Sequence, residues 1–129
     1  MARIVIEIPD EFNALVKSVE KLVSRVEQAV RRAGDGKARD YASFEAKVAG
    51  DAAAIERAAH QAVLEALDID LPRILIDGRL FARFGRYPAT FNTLAGPVEV
   101  MRTVYRPLGE HNGRTVDPVS LRVGVVGDG

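Results

Sequence analysis

Residues 73–106 read RILIDGRLFARFGRYPATFNTLAGPVEVMRTVYR, and their pattern sets the fold class. Arg73–Asp77, with the apolar run Ile74-Leu75-Ile76, reads as a short strand. Asp77-Gly78 follows, the dipeptide that suits a two-residue hairpin turn, and Arg79–Tyr87 reads as the return strand. Pro88 is expected to break the run, with Ala89–Leu94 continuing it. Ala95-Gly96-Pro97 turns again, and Val98–Arg106 makes a last, longer strand. The pattern predicts a meander of three or four antiparallel strands.

Upstream the apolar period lengthens. Phe12, Val19, Val26 and Ala33 recur every seventh residue. Leu15, Leu22 and Ala29 form a second row, and Val16, Val23 and Val30 a third. Three rows predict an amphipathic helix over residues 11–33, with Asp10 as its cap and Gly34 at its end. The stripe is wider than a two-stranded seam needs, so two uses are open: packing within its own domain, or association with another chain through Leu15, Val19, Leu22 and Val26. A second helix is expected from Tyr41 or Ser43 to Leu67, where Phe44, Val48, Ala52, Ile55, Ala59, Val63 and Leu67 step by three or four, with Gly50 as a possible dent. Pro72 places its end upstream of Leu71. Before the first helix, residues 3–8 (RIVIEI) put Ile4, Ile6 and Ile8 on one side at period two, which predicts a short strand closed by Pro9. Asp117 or Ser120 can cap a short third helix.

The expected class is therefore α+β: two long amphipathic helices with a small antiparallel β-meander. The organisation expected is an N-terminal strand and helix over residues 1–36 and a helix-plus-meander module over 37–129, with the glycine-rich stop at Asp128-Gly129 suggesting that the module is cut short.

Composition narrows the function. The chain has 129 residues, 18 basic and 18 acidic. Neutrality argues against a nucleic-acid coat protein, but the charge is uneven: residues 1–72 carry −3, residues 73–106 carry +4 and residues 107–129 carry −1. Every base in the middle block is arginine, the side chain suited to forked contact with phosphate. On the return strand Arg79, Phe81, Arg83 and Tyr87 share a side, with Arg86 on the other, and Arg102 and Arg106 follow on the last strand. Arginines neutralise phosphates and aromatics stack on bases, so these seven residues form a candidate DNA surface. The competing reading is a solvated sheet face with its arginine stems laid on apolar neighbours.

No catalytic constellation is recognisable. Cysteine is absent, so disulfides and thiolate zinc sites are excluded. His60 and His111 are isolated, His60 as a boundary residue of the second helix and His111 in a solvated loop. The acids lack metal-binding spacing: Asp68 and Asp70 flank a helix end, Asp77 belongs to a turn and Asp117 to a cap. Neither the Gly34-Asp35-Gly36-Lys37 linker nor the Gly124–Gly129 ending has the spacing and following helix of a phosphate loop. No metal or cofactor is expected, nor a signal peptide or membrane span, which points to a cytoplasmic protein.

The blocks ERAAHQAVLEALDID, PRILIDG, GRYPATFNTLAGPVEVMRTVYR and NGRTVDPVSLRVGVVGDG, in this order, resemble the N-terminal region of bacterial insertion-sequence transposases of the ISKra group, and RIVIEIPDEFNAL fits their start. The resemblance is best from Glu56 to Gly129. It implies a DDE-type recombinase whose three carboxylates hold two metal ions for strand cleavage and transfer. In the family that catalytic region lies downstream of the matched part, so no residue here inherits a catalytic role. The resemblance implies DNA binding at mobile-element ends, subunit assembly, or both. The alternative is a protein–protein association module that does not touch DNA.

Overall fold

The structure is a computed structural model that describes residues 2–36, 40–109 and 113–124. The architecture is α+β, with a three-stranded antiparallel sheet. The elements are α1 (Asn13–Arg32), α2 (Tyr41–Ala66), β1 (Arg73–Ile76), β2 (Arg79–Thr93), β3 (Gly96–Pro107) and α3 (Pro118–Val123), with short 3-10 turns at Asp10–Phe12 and Ala33–Asp35. Two compact units emerge: Met1–Ala62 with Leu94–Gly96, and Val63–Thr93 with Pro97–Gly129. They divide after Ala62 rather than in the glycine linker expected to part residues 1–36 from 37–129, because α2 groups with α1.

The first unit is a helical hairpin. Leu15, Leu22 and Ala29 lie half-buried on one side of α1. On α2 Asp51 and Ala58 are buried, and Phe44, Val48, Ile55 and Ala62 are among the partly buried positions on the same stripe, stepping by three or four. The termini differ from expectation. Asp10 opens a 3-10 turn instead of capping α1, whose first residue follows Phe12 with no side-chain cap. The left-handed glycine after α1 is Gly36 (φ 73°) rather than Gly34, because the 3-10 turn extends the helix by three residues. Asp40 caps α2, accepting from the Ser43 amide at 3.2 Å. Gly50 leaves α2 continuous.

The N-terminal segment forms no strand. Residues 2–9 carry no regular structure, with Ile4 85%, Val5 73% and Ile6 72% exposed. Alternation alone does not make a strand; its backbone groups need a partner, and the sheet order β1-β2-β3 leaves this segment without one.

In the second unit the β1–β2 hairpin pairs Arg73 with Ala82, Ile74 with Phe81, Leu75 with Leu80 and Ile76 with Arg79. Asp77 (φ 49°) and Gly78 (φ 76°) both take positive φ, the geometry that matches the right-handed strand twist. Strand β2 runs unbroken through Pro88. Strand β1 covers only Arg79–Ala82 of it.

Strand β3 carries the core. Val98, Val100 and Val104 are buried on one side, and Arg102 through Tyr105 are buried without interruption. The loop after α2 closes over the opposite side. The Tyr105 hydroxyl donates to the Ile69 carbonyl and accepts from the Leu71 amide (3.0 Å). Asp68 accepts from the amide and hydroxyl of Thr103 (2.9 and 2.7 Å). The Tyr105 backbone also exchanges two hydrogen bonds with Val116. Asp117 then caps α3 through the Ser120 amide (2.9 Å), as its position in the sequence suggests, and Val119 becomes fully buried.

Arg102 lies on the Val100 side and pairs with Asp117 at 2.7 Å, both side chains under a tenth exposed. Removing one member of such a pair strands a buried charge and costs about 3–5 kcal/mol, whereas replacing both is often neutral. Asp117→Ala should therefore lower stability in urea unfolding by about 3–5 kcal/mol. Arg102→Met with Asp117→Ser, which keeps a capping oxygen, should recover most of that loss.

Candidate nucleic-acid and association surfaces

The seven candidate DNA contacts do not form one open basic face. Phe81 is 8% exposed and is core. It lies on the covered side of β2, where Gly85, Ala89, Phe91 and Thr93 are also partly covered. Stacking a base on it would require unpacking the hairpin. Arg102 is interior and bound to Asp117, which removes it as a phosphate contact. Arg83 donates to Asp70 at 2.7 Å. Arg86 lies 3.8 Å from Asp68 and 3.9 Å from Asp70. The Arg106 guanidinium lies over the Phe84 ring at 4.0 Å, with its Nε buried. Arg79 is exposed, 5.8 Å from the Phe81 ring centre. Tyr87 is 44% exposed, yet its ring covers Gly85, where an added Cβ would meet it at 2.9 Å, and it stacks on Phe84 at 5.9 Å.

Asp68 and Asp70 sit just outside the +4 block but return to it in space. A guanidinium already facing a carboxylate has that anion to displace before it meets a phosphate. The exposed pairs contribute little to stability, but Asp68 and Asp70 lower the local excess of positive charge.

On α1 the expected association set splits. Leu15 and Leu22 belong to the half-buried row that continues to Ala29, which joins Tyr41 and Phe44 in lining a cavity between the helices. Val19 and Val26 lie one step further round and are 40% and 43% exposed. With Val16, Val23 (51%) and Val30 (68%) they make a second row spaced three, four, three, four. This is the spacing of a coiled-coil seam, and no residue of α1 is fully buried.

The inner side of the hairpin holds a group that the sequence reading overlooked. Asp51 is 5% exposed and takes both hydrogen-bonding arms of Arg25, through Nε and through Nη2 at 3.3 Å. The signal was present: Asp51 occupies the apolar stripe of α2 between Val48 and Ile55, and an acid there needs a cation opposite. The cavity beside this pair, about 410 Å³, is also lined by Arg32 and Lys47.

Among the described residues no group of His, Asp and Glu is placed to hold a metal ion, and no helix is long and apolar enough to cross a membrane. His60 is exposed on α2, 3.5 Å from Glu56. His111, Lys37 and residues 125–129 lie outside the described residues. No protein-family model matches the chain, and neither a curated protein nor a solved structure shows significant similarity to it.

The hydrogen bond from Arg25 holds the Asp51 carboxyl below its ordinary value, against the opposing effect of burial and with help from the charges of Arg25 and Lys21. A depressed carboxylate contributes stability above its unfolded pKa and loses it as the pH falls through the folded value. The stability gap between the wild type and Asp51→Asn should thus stay level from pH 7 to pH 5 and shrink below about pH 4. Thermal unfolding followed by circular dichroism measures this gap.

Proposed function

We propose that this chain is a non-catalytic assembly module that joins protein subunits through α1, in the setting its resemblance implies: the N-terminal part of an insertion-sequence transposase. The observation that carries the assembly role is the valine row at 16, 19, 23, 26 and 30. It has seam spacing, and four of its five members are 40% exposed or more. Val is a mediocre helix former, so five of them on one side of a 20-residue helix serve packing rather than helix propensity. A solvated face has no use for that pattern, whereas a second helix buries it.

The transposase setting rests on the ordered blocks between Glu56 and Gly129. Of the two contributions implied there, assembly is favoured over DNA contact, because Arg83, Arg86 and Arg102 face carboxylates of the same chain.

Sedimentation velocity over a hundredfold concentration range tests this. The wild type should associate, and Val19→Glu with Val26→Glu should weaken association at least tenfold, about 1.4 kcal/mol, with an unchanged helical circular-dichroism signal. A wild type that stays monomeric throughout contradicts the proposal. So does tight, steeply salt-dependent binding to duplex DNA by the monomer.

A further inference from the structure

The cavity between α1 and α2 lies within the first unit, and its lining combines two chemistries. Tyr41 and Phe44 supply aromatic surface, with ring centres 5.6 Å apart and planes tilted by 47°. Arg25, Arg32 and Lys47 supply positive charge. Asp40 is the one carboxylate among the described lining residues, and its Oδ1 already accepts from the Ser43 amide at 3.2 Å.

The positive charge is gathered on one side of the hairpin. Lys21, Arg25, Gln28 and Arg32 step by four, three and four along α1, so they share a side of that helix. Lys21 acts electrostatically on Asp51, to which Arg25 is bonded, which puts these cations on the side where α2 packs. The acids of α1, Glu20 and Glu27, fall on a different side, beyond the valine row. Asp51 answers Arg25 and holds it by both hydrogen-bonding arms. That guanidinium is therefore fixed beside the cavity before a ligand arrives, which spares part of the ordering cost of binding.

We propose that this cavity binds a small planar aromatic anion, its ring against Tyr41 and Phe44 and its charge toward Lys47 and Arg32. The volume of about 410 Å³ lies in the range of small-molecule sites, about 300–1,000 Å³. The two chemistries select the class together. An uncharged ring leaves the cations unanswered, and an anion without a ring leaves the aromatic surface in water. Tyr41, 68% exposed, would be covered by the ligand. The site uses neither the valine row nor the sheet, so it stands independently of the assembly proposed above.

Amide NMR titration of the full chain with 2-naphthoate tests this. Two comparison ligands each lack one half of the chemistry: 2-naphthalenemethanol the charge, and cyclohexanecarboxylate the ring. The expected result is saturable shifts at Ala29, Ala33, Ser43 and Phe44, with 2-naphthoate bound at least tenfold more tightly than either comparison ligand. Lys47 is exposed, so Lys47→Gln should leave the helical circular-dichroism signal unchanged while weakening 2-naphthoate by about threefold, the scale of an exposed ion pair. Lys17→Gln, an exposed cation elsewhere on α1, should leave the affinity as it is. Shifts that fail to saturate, or equal affinities for the three ligands, overturn the proposal. So does an equal loss in the two lysine variants, which would mean that general charge rather than this site attracts the anion.

Discussion

Burying a guanidinium costs several kcal/mol unless a carboxylate pairs with it, and that constraint organises the second unit of this protein. Arg102 sits in a stretch of β3 buried on both sides, and Asp117 is its counter-ion. The same carboxyl caps α3, so one side chain neutralises the interior charge and starts the helix that carries Val119 into the core. The two bonds between Tyr105 and Val116 bring that segment alongside β3. On the other side of the strand, Thr103 and Tyr105 hold the loop from Asp68 to Leu71 by side-chain hydrogen bonds. A strand buried on both sides needs partners for its polar groups on both sides, and here they come from short loops rather than from a second sheet.

The arginine-rich block changes meaning in that setting. Its +4 is a property of a sequence window, whereas the acids that answer it, Asp68, Asp70 and Asp117, lie outside the window and return through the fold. What remains exposed is apolar: the valine row of α1 and the isoleucines of residues 3–8 in one unit, and Leu75, Leu80 and Phe84 in the other. The first two have the periodicity of a partnered element, seven-residue for α1 and two-residue for residues 3–8. Contiguous apolar surface of this kind marks an interaction site more often than scattered exposed residues do.

Much of the fold was legible in the sequence. The Asp77-Gly78 turn, both long helices and the Asp117 cap follow from local signals, because propensity and turn chemistry act over a few residues. The strand expected at residues 3–8 failed for a non-local reason: alternation supplies a face, but not a neighbour to bond to. Pro88 misled in the opposite direction: it was expected to break the run, and β2 continues through it. Alternation put Phe81 and Arg102 in the candidate DNA surface because it says which residues share a side, not which side is covered, and both are buried. Asp51 was the most readable omission, a lone acid on an apolar stripe that called for Arg25.

The central claim is that α1 carries the working surface and that the sheet arginines serve the fold. Valine-methyl NMR over a dilution series tests it most directly. The account predicts that the methyl signals of Val19, Val23, Val26 and Val30 shift on dilution while those of Val98, Val100 and Val104 stay fixed, and that added duplex DNA moves neither group. Methyl signals of α1 that ignore dilution, together with DNA-induced shifts spreading from β2 and β3, would contradict it.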